Sequence, residues 1–408
     1  GPGSVPWGQS AFLGIVNVIT RWPSTEGERV TGHVRFGTLS TFEGFASAEG
    51  SHRWLDYFIS TTQRTTEGPR THLDDSIVAD VGVEPSAEVS PPIFGGGGDT
   101  QNGRDRYHDV LAKIRIDRRF DLLVNYVVNF TQFEISRFGS LLPPDNLGSW
   151  RTEDLLLSAS WQDELPSNFR YRISASRYAH TSFENYVVHP HSTYLPHGFS
   201  SVQGNDLEPS VNHLAEARLH HSFDTGTLVN RALVGLAFLH QQLPDMYASL
   251  TGPDGPPLEP ELDIGAHEMT TLSGFVVDDV GLFDGKLVLS GGIRYDNHRP
   301  FASALSTQAG ILGGIELLRA KLVYSEGFRP PSANDMYSTK GTKGNPVLRP
   351  ERSRALELEL SSHVAWFRGR LGGSVIRLED LVRLEDVDPA LAMQGFVYRP
   401  ENRASTKI

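Results

Sequence analysis

The chain of 408 residues contains no cysteine. It also lacks any run of the ~18 to 20 apolar residues that a membrane-spanning helix needs. The first absence excludes a cysteine metal site and suits a periplasmic or surface location, where free thiols would be oxidised, although many cytosolic proteins also have few cysteines. The second excludes a helical membrane protein and says nothing against a membrane protein built from strands.

Basic residues are outnumbered, and the formal net charge of -12 argues against a nucleic-acid partner. Hydrophobic residues make up 38% of the chain, which is low for a soluble protein with a large core. A transmembrane barrel needs only one apolar face per strand. There is no proline- or serine-rich linker, and the only low-complexity piece is Gly95 to Gly98, so the chain does not divide into the several domains that its length suggests.

Alternating apolar and polar residues recur along the chain and predict β-strands with one face of each kind. In the segment from Leu287 to Asp296, for example, Leu289 and Ile293 oppose Arg294 and Asp296. We expect Leu289, Ile293, Tyr171, Ile173, Val124 and Leu157 on the lipid side, and Arg170, Arg172, Arg294, Glu357 and Asn125 on the lumen side.

A soluble β-sandwich would show the same alternation with its apolar face buried. The predicted strands of ~9 to 14 residues favour a barrel, since sandwich strands usually have ~5 or 6. Aromatic residues near the predicted strand ends resemble interfacial girdles. These residues are Trp54, Tyr57, Phe120, Trp161, Phe169, Tyr295 and Tyr324.

Short and long connections alternate between the predicted strands. The short ones are 50–53, 118–119, 163–167, 224–226 and 283–285, and the long ones are 65–103, 137–149, 183–212, 244–266 and 330–350. Outer-membrane barrels have short periplasmic turns and long extracellular loops, which predicts the orientation. We count about fifteen strands and a partial one at Asn402 to Ile408, against about 22 in large plugged transporters.

The N-terminal residues carry the first motif. Gly1-Pro2-Gly3-Ser4 is followed by Trp7-Gly8 and a strand-like segment in which Gly14 and Asn17 flank hydrophobic residues. The pattern resembles the end of the plug domain of TonB-dependent outer-membrane receptors. Gly-Pro-Gly-Ser alone could be a tag remnant, but the pattern continues without a break. We expect residues 15 to 19, apolar on both faces, to form a plug strand joined to the barrel by a link at 22–32.

A second motif lies near the C-terminal end. The box Glu326-Gly327-Phe328-Arg329-Pro330 precedes Asn345-Pro346 and Glu351 at the spacing seen in the same receptors. Proline suits strand ends because it cannot donate to a β-ladder. We expect Arg329 to pair with Glu351. The two boxes could contact a ligand, or they could only shape a loop.

The resemblance implies an all-β, antiparallel transmembrane barrel in the cell outer membrane. Residues 1–21 would end the plug and residues 22–408 would form an incomplete barrel, with both termini truncated. The implied function is active import of a scarce bulky ligand, energised by the inner-membrane TonB complex through an N-terminal region absent here. The other partners would be an extracellular ligand such as a ferric siderophore and the outer-membrane lipid.

Ferric siderophores lead as ligands because they are the commonest in the family. Related haem receptors carry a histidine between the two boxes, and the interval from Pro330 to Asn345 has none. Cobalamin, glycans and peptides stay open, as do two functions of other classes: a passive porin and a secreted β-rich binding protein.

No residue pattern suggests catalysis, a cofactor or a firm metal site, so we expect no enzyme. His189, His191 and His197 could bind a transition metal, and Glu261 with Asp263 a hard cation, but polar surface loops explain both. A phosphate cradle at Gly95 to Gly98 lacks the strand-to-helix context it would need.

Overall fold

The structure is a computed structural model that describes residues 5, 20, 22–23, 26–68, 72–73, 98–99, 103–133, 148–189, 202–251, 261–315, 317–339, 342–364, 366–392, 398–403 and 405–407. Almost all of these residues lie in strands. The strands are β1 (Gly27–Gly37), β2 (Thr41–Ser51), β3 (Leu55–Thr66), β4 (His72–Leu73), β5 (Gly98–Asp99), β6 (Asp105–Ile116), β7 (Phe120–Phe133), β8 (Gly148–Leu165), β9 (Phe169–His189), β10 (Val202–Asp224), β11 (Leu228–Leu243), β12 (Met246–Thr251), β13 (Glu261–Ile264), β14 (His267–Leu282), β15 (Leu287–Arg299), β16 (Ala304–Ile315), β17 (Leu318–Arg329), β18 (Glu351–Val364), β19 (Phe367–Glu379), β20 (Val382–Asp386), β21 (Tyr398–Asn402) and β22 (Thr406–Lys407). Two short helices are α1 (Ala333–Tyr337) and α2 (Pro389–Ala392).

Eighteen strands form one sheet in which long strands pair antiparallel with their neighbours in the sequence. The pairing runs from β1 with β2 to β18 with β19, and the short β22 joins β19. Within the described residues, no pairing joins β1 to β19 or β22. The expected antiparallel meander is therefore confirmed, and a two-sheet sandwich is excluded.

The register places the predicted apolar and polar sets on opposite faces of the sheet. Ile293 pairs with Val276, which pairs with Val234, and all three are exposed. The next residue, Arg294, turns to the other side and is only 6% exposed, against 48% for Ile293. We call the two sides the apolar face and the polar face; the lipid-side residues predicted above share the first, and the lumen-side residues the second.

The tight turns lie where short connections were predicted. Two successive residues have positive φ at Asp117-Arg118, Ser167-Asn168 and Phe283-Asp284. Such pairs match the turn twist to the right-handed twist of the flanking strands. The same geometry at Leu39-Ser40 closes a short connection between β1 and β2, and residues 300–303 form another between β15 and β16. Both lie at the end of the sheet with the long connections, so the predicted alternation is not strict.

Several predicted boundaries are wrong. β9 and β10 have 21 and 23 residues, so both strands extend into the predicted loop 183–212. The predicted loop 244–266 contains β12 and β13, and β12 pairs with the start of β10. β1 begins at Gly27, inside the predicted link 22–32. Backbone pairing can continue where apolar and polar residues no longer alternate, so hydrophobic periodicity does not mark the end of such a strand.

In the part of the chain that the structure describes, we find no helix long and apolar enough to cross a membrane.

Candidate functional site

An aromatic ring between two arginines marks the polar face at mid-height. Arg218, Gly235, Phe275 and Arg294 are successive register partners on β10, β11, β14 and β15. The Phe275 ring lies over Gly235, where an added Cβ would approach it to 2.2 Å. The guanidinium carbons of Arg218 and Arg294 lie 5.7 and 5.2 Å from the ring centroid, within cation–π range. A side chain at position 235 would displace the ring, so this row depends on the glycine.

Each of these arginines is neutralised by a carboxylate two residues away on its own strand. Arg218 Nη2 donates to Glu216 at 3.0 Å, and Arg294 Nε lies 2.9 Å from both oxygens of Asp296. Asp296 is fully buried and also accepts from Ser273 Oγ at 2.6 Å. Buried charges persist only when paired and hydrogen-bonded, as here.

Two polar atoms beside this group have no partner among the described residues. A hydrogen bond of 2.8 Å joins His298 Nδ1 and Thr271 Oγ1, whereas the Nε2 atom of His298 is buried and unpaired. The hydroxyl of Ser306 is also buried and unpaired. A buried polar atom that lacks a hydrogen bond destabilises a protein. This part of the polar face is therefore suited to further polar contacts.

The chain before β1 contacts the polar face at three described residues. Val5 is 1% exposed, and its Cγ1 atom would lie 2.9 Å from a Cβ added to Gly292. Lys113 Nζ donates to the carbonyl of Thr20 at 3.2 Å. The ring of Trp22 lies 3.9 Å from Lys113 Nζ and 4.2 Å from the Arg115 guanidinium carbon. The other N-terminal candidates lie outside the described residues; they are Gly1, Pro2, Gly3, Ser4, Gly14 and Asn17.

The first C-terminal box lies at the end of β17. Glu326 accepts from the backbone N–H and hydroxyl of Thr307 at 3.1 and 2.7 Å, and from the Tyr324 hydroxyl at 2.7 Å. Gly327 and Phe328 are buried, and Phe328 packs edge-on against His298 with ring centroids 5.3 Å apart. The box therefore links β16 to β17 and reaches the polar group around Asp296.

Arg329 and Glu351 form the expected ion pair, where β17 ends and β18 begins. Glu351 is 2% exposed, and its other oxygen accepts from the backbone N–H of Val382 at 2.8 Å. Pro330 follows the pair at the strand end, where its missing N–H costs no ladder bond. Glu351 therefore holds the connection after β19 as well as the one after β17.

The second box ties the same connections together. The buried Asn345 side chain donates to the carbonyl of Pro400 at 2.9 Å, while its neighbour Pro346 is exposed. The Asn402 side chain accepts from Arg349 N–H at 2.7 Å and donates to the carbonyls of Arg349 and Asp380. We call the connections 330–350 and 380–405, with these bonds, the loop junction.

The connection that contains β13 also joins the loop junction, through the residues that follow α1. Ser332 caps α1 in a capping box with Asp335. Asp263 of β13 accepts from Ser338 Oγ at 3.1 Å and from the Thr339 backbone N–H at 3.0 Å. These bonds occupy one carboxylate oxygen, which explains Asp263 as a structural residue. No group of three or more metal-ligating side chains occurs among the described residues, and 190–201 lie outside them.

An aromatic contact completes the junction. The rings of Tyr337 and His267 stack with centroids 3.6 Å apart. Burial raises the pKa of Tyr337 above its ordinary value. Met336 on the same helix is buried, so α1 contributes an apolar side as well as its cap.

A basic cavity lies on the polar face near the tight turns. It encloses about 730 Å³, and its lining includes Arg170, Arg172, His220 and Arg231 with the acidic Glu164 and Asp279.

Sequence reasoning singled out Arg170 and Arg172 only by their face. It missed the group around Phe275, because pairing across strands far apart in sequence brings those residues together.

The comparisons with known proteins agree with this architecture. A family model described as TonB dependent receptor-like, beta-barrel matches residues 89–399. A search of curated proteins finds no match. Among solved structures, the siderophore receptor PirA from Pseudomonas aeruginosa aligns with a TM-score of 0.66 at 14% identity, over 100% of this chain and 66% of that one.

Two further structures resemble the chain. The ferric enterobactin receptor PfeA from Pseudomonas aeruginosa, a mutant in complex with enterobactin, aligns with a TM-score of 0.66 at 14% identity, over 100% of this chain and 63% of that one. The RagAB peptide transporter aligns with a TM-score of 0.59 at 13% identity, over 90% and 47%. Identities this low show the fold alone, and the chain spans only about half to two thirds of these proteins.

Proposed function

We propose a function from one premise: this chain belongs to the family of TonB-dependent receptor β-barrels. Members of the family lie in the outer membrane, and the exposed apolar face is the surface that lipid would cover. We propose that the chain is part of an active importer and not an enzyme, with the polar face lining the lumen and the loop junction on the extracellular side.

The observation that carries the import proposal is the contact of the N-terminal segment with the polar face. Val5 lies against Gly292 on β15, whereas the Trp22 ring contacts Lys113 and Arg115 on β6. Contacts on two distant strands are what a plug crossing the lumen requires, since a wide barrel must be filled. They favour a plugged importer over a passive porin, and they support residues 1–21 as the end of that plug.

For the ligand, we propose a ferric siderophore first. Two of the similar structures are named as siderophore or ferric enterobactin receptors, and the sequence lacks a histidine between the two boxes. The basic cavity, in which Arg170, Arg172 and Arg231 outnumber the two carboxylates, would attract an anionic complex. Peptide import is the second candidate, because the RagAB structure is named as a peptide transporter.

The test uses the full-length receptor in an iron-starved outer membrane that lacks other siderophore receptors. We expect uptake of a radiolabelled ferric siderophore from a chemically diverse panel, and loss of that uptake when TonB is inactivated. Deleting residues 1–21 should abolish energised uptake and leave a folded barrel.

Three outcomes would contradict the proposal. Uptake that persists without TonB would indicate a passive pore. Uptake of labelled peptides with no ferric complex accepted would favour the second candidate. Normal uptake after deletion of residues 1–21 would remove the main support for the plug.

A further inference from the structure

A row of small side chains forms a groove on the apolar face. Ala159, Ala175 and Ala215 are direct register partners on β8, β9 and β10. Leu122 and Phe238 continue the row on either side as larger neighbours. The groove has a volume of about 470 Å³, within the usual ~300 to 1,000 Å³ of small-molecule sites. It lies on the side that lipid covers, so its occupant would come from the membrane.

One edge of the groove is basic. Arg177, His213 and His240 are register partners in the adjacent row, and the first two line the groove. The imidazole rings of His213 and His240 stack with centroids 6.2 Å apart. Arginine is a cation at any physiological pH, and each imidazole offers an N–H donor. An apolar trough with donors along one edge matches a ligand that has an apolar chain and an anionic head.

Arg177 differs from other arginines on the same face. Arg354 lies 3.5 Å from Glu326 and 3.3 Å from Glu379, and Arg377 lies 3.0 Å from Glu379. Arg177 is exposed and, within the described residues, has no carboxylate partner. A cation that faces lipid is costly unless an anion compensates it. An anion that compensates Arg177 would come from outside the described residues.

The height of the basic row indicates which leaflet supplies the anion. Arg177 lies nine residues after Asn168 of the tight turn that precedes β9. That distance is roughly 30 Å along the strand, and the strand tilt reduces it to roughly 20 Å along the membrane normal. The apolar band of a barrel is about 25 Å tall. The row therefore lies near the upper border of the band, towards the long connections and the extracellular side.

We propose that the groove binds a phosphorylated glycolipid of the outer leaflet. A phosphate would accept hydrogen bonds from the Arg177 guanidinium and from His213 and His240, since guanidinium and phosphate match in geometry. An acyl chain would lie over Ala159, Ala175 and Ala215. This site rests on the outer-membrane location and is independent of import, because it lies on the opposite face from the proposed lumen.

The test measures lipid A binding to the purified full-length receptor in mild detergent by native mass spectrometry. We expect about one lipid A to remain bound to the wild type after detergent exchange. Arg177→Gln should weaken binding at least about tenfold, because it removes the charge-assisted hydrogen bonds. The matched control is Arg377→Gln, an arginine on the same face that already has a carboxylate partner, and binding should stay within about twofold.

A second variant tests the groove without changing any charge. Ala175→Phe fills the centre of the trough and should also weaken lipid A binding at least about tenfold by excluding the acyl chain. Heat-modifiable mobility in electrophoresis checks that each variant is folded. Unchanged binding in either folded variant would overturn the proposal.

Competing ligands separate the possible sources of the phosphate. Phosphatidylglycerol bound as tightly as lipid A would show that the site does not select the outer-leaflet glycolipid, and would overturn that assignment. Displacement of lipid A by millimolar inorganic phosphate would indicate a simple anion site and overturn the role of the groove. Selective retention of lipid A against both competitors is the supporting result.

Discussion

The two faces of β15 differ in which kind of side chain is buried. On the apolar face, Ile293 and Tyr295 are about half exposed. On the polar face, Arg294 and Asp296 are buried and bonded to each other. In a soluble protein the hydrophobic side chains would be the buried ones. The difference shows that this sheet has an apolar side suited to lipid and a polar side whose charges are buried and paired.

Substitutions on the two faces should destabilise the sheet for different reasons. A charge introduced on the apolar face would have no ionic partner, and removal of a partner on the polar face would leave its charge buried and unpaired. We therefore expect single substitutions on both faces to be severe, but for different reasons and with different rescues.

Asp296→Ala should have the largest effect. It leaves the Arg294 guanidinium buried with no carboxylate, and breaking a buried ion pair costs about 3–5 kcal/mol. The free energy of unfolding of the full-length barrel in detergent or lipid measures it. The control is the double variant Asp296→Leu with Arg294→Met, which removes both charges and should be close to neutral; an equally unstable double variant would contradict this account.

Ile293→Arg should destabilise the barrel by roughly 2 to 4 kcal/mol, because it places a charge at a lipid-facing site. Reversible unfolding in lipid vesicles measures the change. Ile293→Val is the control and should cost less than about 1.5 kcal/mol. If Ile293→Arg cost no more than the control, position 293 would not face lipid.

Asn345→Ala should cost about 1–3 kcal/mol, because it leaves the buried carbonyl of Pro400 without its donor. The effect should be local: hydrogen exchange should accelerate at the loop junction and stay unchanged in β15. Its exposed neighbour provides the control, since Pro346→Ala removes no such bond. Equal exchange in the two variants would mean that Asn345 does not hold the junction.

Trp22→Ala should have the smallest effect on stability, about 0.5–2 kcal/mol, since it removes the ring that Lys113 and Arg115 contact. Trp22→Phe keeps an aromatic ring and should restore most of the loss. Limited proteolysis of the segment before β1 measures whether the link is released. Unchanged cleavage in Trp22→Ala would indicate that the ring does not anchor the link.

Much of the fold could be predicted from the sequence because strand alternation is a local property. Leu289, Ile293, Arg294 and Asp296 reveal their faces by position alone, and the tight turns interrupt the pattern. The two C-terminal boxes predicted the pairing of Arg329 with Glu351 for a similar reason, because they lie at the two ends of one connection between adjacent strands.

Boundaries and clusters could not be predicted in this way. β9 and β10 run on past the apolar pattern, because backbone pairing continues where no bilayer demands an apolar face. The contacts of Asp263 with Ser338 and of Asn345 with Pro400 join connections that are distant in sequence. Loop sequences carry no periodicity that would reveal such partners.

The sequence by itself determined that this chain forms an antiparallel meander with one face for lipid, because each strand encodes its two faces in alternate residues. Only the tertiary structure decided which charges meet. Arg218, Phe275 and Arg294 come together because the register aligns β10, β14 and β15, and Arg177 lies beside His213 for the same reason. Register depends on every turn and pairing across the sheet, so no single segment contains it.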